Sequence, residues 1–170
     1  DFTPSSANTV STSDSAYPVY IFFDNTDGAG IMYFYTEAKD IYMNPISGQA
    51  FDNLTGLTDI SALSSWNTSN VTNMRSMFSY ATSLTNIDAL ANWDTSRVID
   101  MSQMFYHTSS LTNIDGVLNW DTSSVTNMSH MFRDAIALTN IDALANWNTS
   151  SVTDMSYMFD RAAALTNIDA

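Results

Sequence analysis

Asp88, Asp115 and Asp142 stand 27 residues apart, and each follows an asparagine, Asn86, Asn113 or Asn140, by two positions. Asn167 and Asp169 continue both rows. An ionised carboxylate only accepts hydrogen bonds, so such a row suits a calcium ion, a basic peptide, a sugar with donor hydroxyls, or simple solvation. Calcium takes about six to eight oxygens around one ion, and a straight row supplies fewer. Carboxylates one strand spacing apart repel by roughly 1 kcal/mol in water, so the row invites a purpose. A reaction centre is built once, whereas these residues recur in every unit. Non-repeated catalytic candidates are scarce: Glu37 is the single glutamate, and His107 and His130 have no counterparts one repeat away. There is no cysteine, hence no thiolate site and no disulfide. No glycine-rich phosphate loop and no G-x-S-x-G elbow is present. The expectation is a non-enzymatic chain with no cofactor and no metal centre.

Four tryptophans, Trp66, Trp93, Trp120 and Trp147, keep the same 27-residue spacing without a slip. Such a period marks stacked supersecondary units, each burying its apolar face against its neighbours. One unit reads W-[ND]-T-S-x-V-T-x-M-x-x-M-F and then L-T-N-I-D. A half unit lies upstream, with Phe51, Leu57 and Ile60 one period before Phe78, Leu84 and Ile87. Leu84, Ile87, Ala89 and Asn92 fit the leucine-rich pattern L-x-x-L-x-L-x-x-N with a shrunken sixth position. That pattern predicts a short parallel strand around Thr85 to Ala89, with Ile87 and Ala89 inward and Asn86 and Asp88 outward. Asn73, Asp100, Asn127 and Asp154 are good N-caps. Met74, Met77 and Phe78 follow at the spacing of a helix stripe, predicting a two-turn helix whose methionines fill the core.

Residues 1–16 are rich in serine and threonine and read as a flexible linker. Tyr17 to Asn44 holds two β-rich runs around an Asp/Asn/Gly turn, which read as a hairpin, and Ile41 to Met43 suggests a third strand. The hairpin is well placed to cap the first coil. Its tyrosines, Tyr33 and Tyr35 among them, offer either cap core or an aromatic ligand patch. The domain reading is thus linker 1–16, hairpin cap 17–50 and repeat array 51–170, truncated at its C-terminal end as in a fragment of a longer protein. The fold class expected is an α/β solenoid, with one strand and one helix per coil. Five Lys and Arg against 18 Asp and Glu give a net charge of −13, which argues against nucleic acid. No apolar run approaches a membrane span, so no membrane insertion is expected. The sequons at Asn67, Asn70 and Asn148 follow from the repeat, and the threonine row Thr85, Thr112, Thr139 suggests an ice-binding face only weakly.

The repeated motif resembles the BspA-like repeats of bacterial surface proteins, over about residues 51–170. The resemblance implies a divergent leucine-rich repeat exposed on the bacterial cell surface. Its expected role is adhesion to a host or neighbouring-cell protein or glycan, acting as a monomer. The ligand face would be built from Asn86, Asp88, Asn113, Asp115, Asn140 and Asp142, with Tyr33 and Tyr35 beside it. The alternative is a purely structural stalk that presents another domain.

Overall fold

A computed structural model describes residues 20–24, 31–35 and 41–166. The proposed linker, Asn167 and Asp169 lie outside the described residues. β1 (Tyr20–Asp24) and β2 (Ile31–Tyr35) pair antiparallel, with Tyr20 opposite Tyr35 and Phe22 opposite Tyr33. The hairpin read from the sequence is therefore present. Ile41 to Met43 does not extend it: Tyr42 makes a parallel bridge to Asn67 instead.

The α/β solenoid expected from the sequence is not what the repeats form. Among the described residues there is no α-helix, and no strand outside the hairpin. The units stack through isolated parallel bridges and turns. One row of bridges runs Ile46, Asn73, Asp100, Asn127, Asp154, and another joins Asn86 to Asn113.

The Met-x-x-Met-Phe segment shows why the helix fails. An α-helix gives each N–H to the carbonyl four residues back. Here Met74, Ser76, Phe78 and Tyr80 donate across the stack to the carbonyls of Asp100, Ser102, Met104 and Tyr106. The intervening Met77, Ser79 and Ala81 donate three residues back, to Met74, Ser76 and Phe78. Half the donors thus serve the neighbouring unit, and the rest close overlapping turns. Ser76 and Tyr80 must then flip into the left-handed region, at φ of 54° and 59°. The same donors repeat one unit on, at Met101, Gln103, Phe105 and His107.

The predicted strand fails for a related reason. Ile87 has φ −129° and ψ 27°, outside the extended region, and the chain enters a 3₁₀ turn at Asp88–Leu90. Equivalent turns occupy Asp115–Val117 and Asp142–Leu144. At Gly116 the sixth position has a steric limit, since a Cβ there would come 2.0 Å from the Ile87 carbonyl oxygen, whereas Ala89 and Ala143 carry one at the equivalent place.

The chain turns with few glycines because asparagine and aspartate make the corners. At one corner Asn67, Asp94, Asp121 and Asn148 accept the N–H two residues on through Oδ1. Asn73, Asp100, Asn127 and Asp154 do the same at a second. Asn86, Asn113 and Asn140 form the third. These Asx turns mimic a backbone turn. The side-chain oxygens expected to cap a helix perform that chemistry without one.

The core between the corners follows the apolar pattern. Val71, Met74, Met77, Phe78, Leu84, Ile87 and Leu90 are all fully buried in the first complete unit. Phe51, Phe78, Phe105, Phe132 and Phe159 form one row of rings, with neighbouring centroids 5.1 to 5.7 Å apart. Trp93, Trp120 and Trp147 each send the indole N–H to a carbonyl of the preceding unit, on Leu63, Leu90 and Val117 at 3.0 to 3.1 Å. Buried Thr68, Thr95 and Thr122 donate their hydroxyls to the carbonyls of Asp94, Asp121 and Asn148. A buried hydroxyl without such a partner costs about 1–3 kcal/mol.

Candidate functional site

The Asn/Asp corner predicted from the sequence exists, but its two residue types behave differently. Asn86, Asn113 and Asn140 are held by their own turns: each Oδ1 accepts from the backbone N–H of Asp88, Asp115 or Asp142, at 3.4 Å and 2.7 Å for the first two. Their amide groups also reach carboxylates, Asn113 Nδ2 to Asp88 Oδ1 at 3.3 Å and Asn140 Nδ2 to Asp142 Oδ2 at 2.8 Å. The asparagines therefore build the corner. Asp88, Asp115 and Asp142 remain exposed on it. The edge begins in an open cleft of about 350 Å³, where Asp59, Ser61 and Ser64 of the half unit face Asn86 and Asp88. Tyr33 and Tyr35 lie on β2, opposite Phe22 and Tyr20. Among the described residues no group of three or more His, Cys, Asp or Glu side chains is arranged to hold a metal ion.

The threonine row has a local use as well. Thr112 gives both its N–H and its hydroxyl to the Thr85 carbonyl, at 3.0 and 3.2 Å, so that row helps bind one unit to the next.

A second group of side chains gave no repeating signal in the sequence. Left-handed residues recur four apart in each unit: Ser76 and Tyr80, Gln103 and His107, His130 and Asp134, Tyr157 and Arg161. Glycine suits this conformation, and other residues there store about 1–3 kcal/mol each of strain. Around them Tyr80 packs against Tyr106 and His107 at 5.2 and 5.0 Å, and His130 against Tyr157 at 5.0 Å. The Arg133 guanidinium lies between, 5.9 Å from the Tyr106 ring and 5.6 Å from the Tyr157 ring. Arg133 Nε sits 3.0 Å from Asp160, an ion pair without hydrogen-bond alignment. Arg161 pairs with Asp134 at 3.7 Å. A hydroxyl bond to Tyr106, aided by burial, holds the Tyr80 phenol above its ordinary value. The signal that would have found this group is ring-bearing residues at the non-repeating positions of a repeating unit.

The Trp corner carries a pH dependence. The Ser96 hydroxyl and N–H hold Asp94 below the usual carboxylate range, and Ser123 does the same for Asp121. A carboxylate whose folded value lies below its unfolded one stabilises above the unfolded value, and that stability is lost as pH falls through the folded value. Asn67 and Asn148 fill this corner in neighbouring units. The Asp94→Asn/Asp121→Asn variant should therefore match the parent at pH 7 and melt higher than it below about pH 4. Thermal melts by circular dichroism across that range check this, and identical acid sensitivity would contradict it.

No helix among the described residues is long and apolar enough to cross a membrane. No curated protein and no solved structure gives a significant match to this chain. Residues 85–169, half of the 170-residue sequence, match a bacterial family described as "Mycoplasma protein of unknown function, DUF285", and the chain belongs to that family.

Proposed function

We propose that this chain is a ligand-binding module of a bacterial surface protein, related to BspA-like repeats and acting outside the cell by non-covalent recognition rather than catalysis. One observation carries the reading: the polar groups of each unit divide into those that hold the backbone and a set of exposed carboxylates repeating along one corner. Trp Nε1, the buried threonines and the Asn side chains belong to the first set. Asp88, Asp115 and Asp142 form the second, beside the cleft at Asp59. Repeated weak contacts gain strength through multivalency, so this edge suits an extended basic peptide or a hydroxylated sugar on a host or neighbouring cell. Tyr33 and Tyr35 remain candidates to extend the surface.

The test applies the protein to an array of immobilised glycans and a panel of purified matrix proteins. The Asp88→Asn/Asp115→Asn/Asp142→Asn variant keeps shape and removes three charges. Binding to a basic partner should fall about tenfold or more, equivalent to roughly 1.4 kcal/mol, and should weaken as salt rises. Unchanged binding would leave this edge a solubility feature. The stalk reading draws on the unbroken row of stacked phenylalanines, and binding to nothing on either panel would favour it.

A further inference from the structure

We infer that the left-handed face of the Met-x-x-Met-Phe segments is a second binding surface, fitted to an uncharged saccharide chain lying along the stack. The inference rests on the reading of the chain as a binding module, but it assigns the ligand to a different face.

Two independent observations support it. The first is conformational. Tyr80, His107, His130 and Tyr157 all sit near φ +60°, where glycine would relieve strain and serve the backbone equally well. Side chains kept against that preference point to a use. The second is the pattern of change between units. Trp, Thr, Met, Phe and Leu positions repeat from unit to unit, whereas this face reads Ser76, Gln103, His130 and Tyr157 along one row and Tyr80, His107, Asp134 and Arg161 along the other. A scaffold requirement would repeat; a recognition surface need not.

The chemistry selects the partner. Rings on successive units lie 5.0 to 5.2 Å apart, and they give amphipathic surface at low cost in side-chain entropy. The charges among them cancel locally, since Arg133 pairs with Asp160 and Arg161 with Asp134. A charged partner would have to break these pairs, and the chain's net charge of −13 would repel an anionic one. An uncharged ligand meets neither obstacle. Sugar rings offer C–H faces to the aromatic groups, and their hydroxyls both donate and accept. Imidazole and phenol groups can answer them. His107 and Tyr80 of the inner units are open to solvent, with the His107 side chain 43% exposed and Tyr80 36%.

The experiment compares three proteins on an array carrying neutral, sialylated and sulfated oligosaccharides beside immobilised matrix proteins. They are the parent, the Asp88→Asn/Asp115→Asn/Asp142→Asn variant, and a face variant with Tyr80, His107, His130 and Tyr157 changed to asparagine. Asparagine tolerates the left-handed conformation, so the face variant should melt within a few degrees of the parent. A second face variant, His107→Gly with Tyr157→Gly, guards against misfolding of the first. The parent should bind neutral oligosaccharides with little salt dependence. Both face variants should lose at least about tenfold in affinity, while the aspartate variant keeps it. Neutral-glycan binding unchanged in the face variants would overturn the inference, as would binding confined to sulfated glycans or to matrix proteins. If the parent binds and only the aspartate variant loses affinity, the binding-module reading stands and this inference fails. If the parent binds nothing, both fail. A large fall in melting temperature in both face variants would show that the side chains serve the stack, and would likewise overturn the inference.

Discussion

Trp93→Ala should destabilise the protein by about 3–5 kcal/mol, the usual cost of deleting a buried large aromatic side chain. Trp93 is 4% exposed, packs its ring 6.3 Å from Phe78, and donates to the Leu63 carbonyl. The substitution removes the packing and one of that carbonyl's two donors, the other being the Trp66 N–H. Trp93→Phe separates the two effects, since it keeps most of the ring and loses only the N–H, at a cost of about 0.5–1.5 kcal/mol while the carbonyl keeps its second donor. Because each unit is held mainly by its neighbours, the loss should spread along the stack. Urea unfolding followed by circular dichroism measures both variants. A change below about 1 kcal/mol for Trp93→Ala would contradict the packing described.

The indole period was legible in the sequence because burial follows residue type. Met74, Met77, Phe78, Leu84 and Ile87, whose spacing marks them as core, are buried, whereas Ala89, expected to point inward, is only partly buried. Met74, Met77, Met101, Met104, Met128 and Met131 fill the interior, in keeping with their flexibility, while Met155 of the last unit is exposed. What the sequence did not reveal was the backbone path. Met74, Met77 and Phe78 have the three-and-four spacing of a helix, but overlapping turns with the same side chains inward satisfy that spacing equally. The deciding fact is the destination of each N–H, and no side-chain pattern records it. Left-handed turns usually announce themselves by glycine. Here Ser76, Tyr80, Gln103 and His107 adopt them instead, so the signal was missing. At the Asn/Asp corner the sequence placed the right residues together, yet it treated Asn86 and Asp88 as one surface. The Asx turn gives Asn86 a structural task, whereas the exposed Asp88 carboxylate accepts from the Asn113 amide of the next unit. The aromatic face leaves no periodic trace in the sequence, because His107 and His130 do not recur from unit to unit.

Phe105→Ala should cost a similar 3–5 kcal/mol, and it probes the row of rings instead of the indole tether. Phe105 is fully buried between Phe78 at 5.7 Å and Phe132 at 5.5 Å, with interplanar angles of 3° and 10°. Each such contact adds about 0.5–1.5 kcal/mol beyond area burial, and alanine removes both. Phe105→Leu keeps most of the volume and should cost about 1.5 kcal/mol or less by packing alone, with the ring contacts accounting for any excess. The difference between the two variants, read from chemical denaturation, isolates the cavity. Equal effects would mean that the cavity contributes nothing and that the whole loss lies in the ring contacts, contrary to the cost expected for the cavity.

The repeats are joined by alternate backbone donors reaching the next unit, with left-handed residues between the turns. Hydrogen-bond scalar couplings, measured by NMR on isotopically labelled protein, read donor and acceptor directly. Correlations are expected from the amides of Ser76, Phe78 and Tyr80 to the carbonyls of Ser102, Met104 and Tyr106. Correlations from those amides to carbonyls four residues earlier would mean an α-helix in each unit, and would contradict this pairing.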